Sequence, residues 1–97
     1  MSSYIRFEWD LAKAAANVRK HGVSFETAQR VFADPHHVSE LERIVDGEQR
    51  WQTLGVIGGF TVLLVAHTSI EADGTEVVRI ISARHADGHE KKRYEQD

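Results

Sequence analysis

The spacing of apolar residues changes period once along this chain, and the change separates a helical first third from a stranded remainder. Tyr4 to Trp9 mixes aromatic and β-branched residues and predicts a short strand. Asp10 offers a carboxylate to the open amides of a helix running to about His21. Leu11, Ala15 and Val18 fall on one stripe of that helix, with Lys13, Asn17 and Lys20 elsewhere, so it is amphipathic. Gly22 can stop it in the left-handed conformation that helix ends use. Ser24 is a second N-cap candidate, with Phe25, Ala28, Val31 and Phe32 giving the next helix an apolar face. That helix ends at Asp34-Pro35, because proline disfavours helical geometry in the residue before it.

Beyond the proline the period becomes two. His36 to Ile44 fits an edge strand or a strand plus loop. From Glu48 to Ile57 the alternation is clear: Glu48, Arg50 and Gln52 share one face, and Trp51, Thr53 and Ile57 share the other. Gly58-Gly59 predicts a two-residue hairpin turn, and Phe60 to Thr68 a returning strand, apolar on both faces and so central. Asp73-Gly74 is the next turn, Glu76 to Arg84 the last strand, and Asp87 to Gln96 a short closing helix weakened near its start by Gly88. The predicted fold is therefore α+β in one domain over residues 1–97. It has a small antiparallel sheet, two N-terminal helices packed on one face and a short C-terminal helix.

These turns imply a register. A two-residue loop at Gly58-Gly59 places Arg50 opposite His67, on the face of Glu48 and Gln52. A two-residue loop at Asp73-Gly74 sets His67 opposite Ile80 and brings Ser82 and Arg84 to that face as well. Glu48, Arg50, His67 and Arg84 are then expected to converge, alongside Leu63, Val65 and Ile80, which a binding partner would cover. A loop longer by one residue would reverse the face, so Arg79 or Arg84, but not both by strand geometry alone, looks into it. The other face, with Trp51, Phe60, Val62, Leu64 and Ile81, is the expected seat of the N-terminal helices.

Composition narrows what such a face could do. With 97 residues, 41% hydrophobic and 28% charged, the chain can bury one core. No apolar run is long enough to span a bilayer, and the stretch from Met1 to Arg6 lacks a signal-peptide core. The absence of cysteine excludes disulfides and thiolate zinc sites and fits a cytoplasmic protein. A net charge of −3 argues against a broad basic field, so any contact with nucleic acid must come from a local cluster.

The candidate cluster is Lys20, His21, Glu48, Arg50, Arg79, Ser82, Arg84 and Tyr94, with Lys20, Arg50, His67, Arg84 and Lys91 as RNA contacts. Cations mixed with a carboxylate, an imidazole and a phenol suit a phosphodiester attacked by its own 2′-hydroxyl. That reaction needs a base, an acid and fixed positive charge at the phosphorane. Arginine suits the last role because it stays charged and grips two phosphate oxygens. Structural alternatives stand beside each residue. Glu48 and Arg50 fit a surface cross-strand pair, His67 a core-edge histidine, and Lys20 and His21 the neutralisation of a helix carboxyl end. His85 and His89 have the i, i+4 spacing of a metal pair, and His36-His37 adds two imidazoles. No carboxylate completes a zinc motif and Gly88 interrupts the helix between them, so neither metal nor cofactor is expected.

Two ungapped blocks, Lys20-His21-Gly22-Val23-Ser24-Phe25-Glu26 and Arg79-Ile80-Ile81-Ser82-Ala83-Arg84, carry a resemblance. With Phe7-Glu8-Trp9-Asp10, Asn17, Asp34-Pro35, Glu48, Arg50, Gly55, Ala86, Glu90 and Tyr94, they resemble the BrnT toxin family from about Phe7 to Tyr94. The sequence departs from the family pattern at Lys91 and Asp87-Gly88, at the start of the last helix. The resemblance implies a RelE-like fold and a metal-free ribonuclease acting as the toxin of a type II toxin–antitoxin system. It also implies neutralisation by a BrnA-like antitoxin, with DNA met only through that antitoxin. An alternative of another class is a RelE-like module that binds a partner and no longer cuts RNA.

Overall fold

The structure, a computed structural model, describes residues 4–96; Met1, Ser2, Ser3 and Asp97 lie outside the described residues. Strand β1 (Tyr4–Glu8) leads into helix α1 (Leu11–His21), the single turn α2 (Phe25–Ala28) and a 3₁₀ segment (Gln29–Ala33). Four strands follow, β2 (Val38–Val45), β3 (Glu48–Ile57), β4 (Thr61–Ala72) and β5 (Thr75–His85), and helix α3 (Gly88–Gln96) closes the chain. Among the described residues no helix is long and apolar enough to cross a membrane.

Helix boundaries follow the predicted caps. The Asp10 carboxylate accepts from the Lys13 amide at 2.9 Å, and Gly22 ends α1 at φ 72°, donating its amide to the Val18 carbonyl. Ser24 accepts from the Thr27 amide at 3.0 Å. Helix α3 starts on a capping box: the Asp87 side chain accepts from the Glu90 amide and the Glu90 carboxylate from the Asp87 amide, both at 2.9 Å.

The five strands form one sheet in the order β1-β5-β4-β3-β2. It is mixed rather than antiparallel, because β1 pairs parallel to β5 at the edge, Phe7 beside Val78 and Glu8 beside Arg79. Between β1 and β5 lie both helices and three strands, so the chain leaves β1 over the sheet and returns in the same direction. Hairpin turns alone cannot produce that pairing.

Register corrects the predicted faces. The β3–β4 loop has three residues, Gly58 to Phe60, and Ile57 pairs with Thr61, which sets His67 opposite Trp51 instead of Arg50. One residue of slip exchanges every β4 side chain between faces. Gly55 therefore pairs with Leu63 on the face that receives the N-terminal helices, where a Cβ on Gly55 would stand 2.6 Å from Val31 Cγ1. Leu63, Val65 and Ile80, expected to be bare, are buried in one core with Val23, Phe25, Ala28, Val31, Val78 and Ala83. Val62 and Leu64, expected beneath the N-terminal helices, pack instead with Leu54, Ala86 and Tyr94 under α3, while Phe60 is 91% exposed at the turn.

Helix α1 also docks differently from its apolar pattern. Leu11 is 80% exposed and Val18 46%. The docked edge carries Ala14 and buried Asn17, whose amide donates to the Val23 and Ala83 carbonyls at 2.9 and 2.8 Å and accepts from the Ala83 amide at 3.1 Å. Two of these hydrogen bonds fix α1 against β5 at Ala83 and the third ties in Val23, where a stripe of leucines would only have covered the strand.

Candidate functional site

Two β-bulges shape the face opposite the N-terminal helices. Along β4–β5, His67 pairs with Ile80 as predicted, but Ala66 pairs with Ser82, so Ile81 is an extra residue. The insertion reverses the alternation, carrying Ser82 and Arg84 away from the face of Ile80 and onto that of Ala66 and Leu64. Arg79, opposite Thr68, shares this side with Arg84 because of the bulge. Along β2–β3, Leu41 pairs with Trp51 and Arg43 with Arg50, so Glu42 is the extra residue there. Both insertions flank a cavity of about 190 Å³ lined by Glu42, Arg43, Arg50, Gln52, Leu64, Ala66, Ile81, Ser82 and Arg84.

Helix α3 straps the same face at three points. Arg84 grips Glu90 with both terminal nitrogens, at 2.8 and 2.9 Å, and also donates to the His85 carbonyl. Arg93 meets Glu40 of β2 at 3.3 Å, and the Tyr94 hydroxyl donates to Asp34. The guanidinium bonded to Glu90 holds its carboxyl below the usual range, and the same bond pushes Arg84 further up. Burial works to raise Asp34, but the Tyr94 hydroxyl and the Val56 and His36 amides outweigh it and keep the carboxyl low. The bond to Asp34 pushes the Tyr94 phenol up to about 12. Asp34 thus does more than end a helix: at the sheet edge it takes the β3 amide of Val56 at 2.8 Å and a hydroxyl from α3.

Of the residues singled out in the sequence, Arg50, Ser82 and Arg84 line the cavity. Glu48 stands beside it, 3.4 Å from Arg50. Tyr94 packs from α3 onto Leu54, Val62 and Leu64, and Lys91 is exposed on that helix. Arg79 pairs with Glu8 at 3.6 Å next to β1, outside the cavity. Lys20 and His21 end α1 on the opposite side of the sheet. His67 is on that side too, buried, with Nε2 2.7 Å from the Thr53 hydroxyl and Nδ1 3.2 Å from the Thr68 carbonyl. Burial lowers its pKa, so it is a neutral core histidine facing Phe32 edge-on. His85 and His89 flank the start of α3, and among the described residues no three His, Asp or Glu side chains gather as a metal site. Glu42 and Arg43 were missed by sequence reasoning because β2 has no clean alternation, and the bulge that aims them is set by pairing with β3.

A five-stranded mixed sheet clasped between helices, with arginines from separate strands meeting in one cavity, defines a small α+β domain. Residues 9–90 match the family described as the ribonuclease toxin, BrnT, of type II toxin–antitoxin systems, and the chain belongs to that family. No curated protein matches it in sequence. Among solved structures it is similar to the crystal structure of the Brucella abortus ribonuclease toxin BrnT, at 18% identity and a TM-score of 0.59. The likeness covers 88% of this chain and 99% of that one, and it shows a shared fold. A type II toxin of this family implies an RNA substrate and an antitoxin partner.

Proposed function

We propose that the chain is a cytoplasmic endoribonuclease that cleaves RNA without a metal, in the cavity lined by Arg50, Ser82 and Arg84. The 2′-hydroxyl gives its proton to a base and its oxygen bonds to the adjacent phosphorus. The bond from phosphorus to O5′ breaks, and O5′ takes a proton. The products are a 2′,3′-cyclic phosphate and a 5′-hydroxyl end. Arg50 and Arg84 supply the fixed positive charge that the phosphorane requires, and Ser82 a hydroxyl hydrogen bond. Glu42 contributes a carboxylate to the cavity wall and is assigned the 2′-hydroxyl proton. Glu48 holds Arg50 in place, and Tyr94, committed to Asp34, positions α3. Lys20, His21, His67 and Arg79 stand outside this cavity and take no part in the chemistry.

The observation that carries this reading is the meeting of Arg50 and Arg84, 34 positions apart in sequence, in one cavity of a BrnT-family chain. Cleavage of an RNA oligonucleotide should persist in excess chelator and leave cyclic phosphate ends. Arg50→Gln should slow it about 10- to 100-fold, the loss of one charge-assisted contact. Activity lost in chelator and restored by one divalent ion would overturn the metal-free chemistry. The antitoxin is proposed to be BrnA-like and encoded beside the toxin, with DNA contacted only by the antitoxin. Growth arrest on induction, relieved by co-expressing the neighbouring reading frame, tests that part.

A further inference from the structure

The pairing of β2 with β3 contains a choice that stability does not explain. Leu41 pairs with Trp51, so an unbroken ladder would place Glu42 directly opposite Arg50, an attractive pair. The bulge instead sets Arg43 opposite Arg50, and like charges in that position repel. Neither guanidinium is well neutralised. Among the described residues Arg43 has a single ion pair, to Glu42 at 3.8 Å with its side chain 66% exposed, and Arg50 a single one, to Glu48 at 3.4 Å. Arg50 Nε is buried without a hydrogen-bond partner among the described residues. Bulges near functional sites re-aim side chains, and this one turns Glu42 and Arg43 together into the cavity that holds Ser82 and Arg84.

We infer that Arg43 and Arg50 form a clamp for the backbone phosphate of single-stranded RNA next to the scissile one, Arg50 bridging the two phosphates and Arg43 serving the second alone. The inference rests on the ribonuclease reading and adds Arg43 to its binding residues. An anion between the two guanidiniums removes their repulsion. Arg84, already gripped by Glu90 through both terminal nitrogens, cannot draw the chain in with equal freedom.

The test is binding of a fully 2′-O-methylated RNA oligonucleotide, which cannot be cleaved, across a range of salt concentrations. Arg43→Gln should weaken binding about tenfold at low salt and make the slope of log affinity against log salt shallower by about 0.7, one single-strand phosphate contact. Arg30→Gln changes net charge equally at an exposed site on the helix side of the sheet and should leave both unchanged. Without RNA, Arg43→Gln should melt no lower than wild type, since it removes a repulsion. An Arg43→Gln protein with the affinity and slope of Arg30→Gln would overturn the clamp while leaving RNA binding intact. Wild-type protein that fails to bind the oligonucleotide at any salt would instead overturn the ribonuclease reading, and the clamp with it.

Discussion

Asp34 is the residue that ties the end of the 3₁₀ segment to β3 and to α3. Its carboxylate takes the Val56 amide, the His36 amide and the Tyr94 hydroxyl, and it is only 7% exposed. Tyr94→Phe leaves that carboxylate with one donor fewer and should cost about 1–2 kcal/mol in urea unfolding at neutral pH. Because Asp34 has a folded pKa below its ordinary 3.8, its stabilisation is present above that value and is lost as pH falls through the folded one. Tyr94→Phe should therefore lose less stability than wild type between pH 4 and pH 2. His67 acts in the same direction at higher pH. Burial depresses it below 6.5, so the unfolded chain takes up the proton first and stability falls as pH drops below about 6.5. His67→Gln, compared with wild type by thermal melts at pH 7.5 and 5.5, should lower the melting temperature at pH 7.5 and flatten its dependence on pH.

At the scale of elements, the 3₁₀ segment and β3 approach so closely that only glycine fits between them. A methyl group at Gly55 would lie 2.6 Å from Val31 Cγ1 and 2.9 Å from the Val31 carbonyl oxygen, and a backbone atom cannot rotate away. Gly55→Ala should cost about 1–3 kcal/mol, measured by denaturant melts, while leaving the cavity on the opposite face unfilled. Arg84 likewise belongs to an element as much as to a site. It joins the end of β5 to the first turn of α3 through Glu90, whose side chain is only 14% exposed. Removing Arg84 therefore loosens a helix as well as the proposed phosphate contact, so Arg50 is the cleaner probe of the proposed chemistry. The helix caps at Asp10, Gly22 and Ser24 and the turn at Asp73-Gly74 were legible in the sequence, because each depends on a few adjacent residues. The bulges at Glu42 and Ile81 were not, since an extra residue is defined only against a partner strand.

For the molecule as a whole, a net charge of −3 coexists with a cavity lined by Arg43, Arg50 and Arg84, so this positive charge is local to one face. The apolar surface once expected to await a partner is the molecule's own core: Leu63 is 1% exposed and Val65 is fully covered. Leu63→Asp should consequently prevent folding, seen as loss of cooperative melting by circular dichroism, because it places an unpaired charge beneath the N-terminal helices. A folded Leu63→Asp protein with an ordinary melt would contradict this packing.

Sequence by itself determined the order of elements, most of their limits, the α+β class and the family, all of which rest on local caps, turn residues, period and ungapped motifs. It also singled out Arg50, Ser82 and Arg84, which the structure brings to one cavity. Tertiary structure decided which face each strand residue takes. The β3–β4 loop is one residue longer than Gly58-Gly59 alone implied, and the bulge at Ile81 inserts one more, so the side-chain alternation reverses twice between Arg50 and Arg84. Since strands have a period of two, a single inserted residue moves everything beyond it to the other face, and only the partner strand fixes where that insertion falls. The same rule sent His67 into the core and brought Arg43 opposite Arg50.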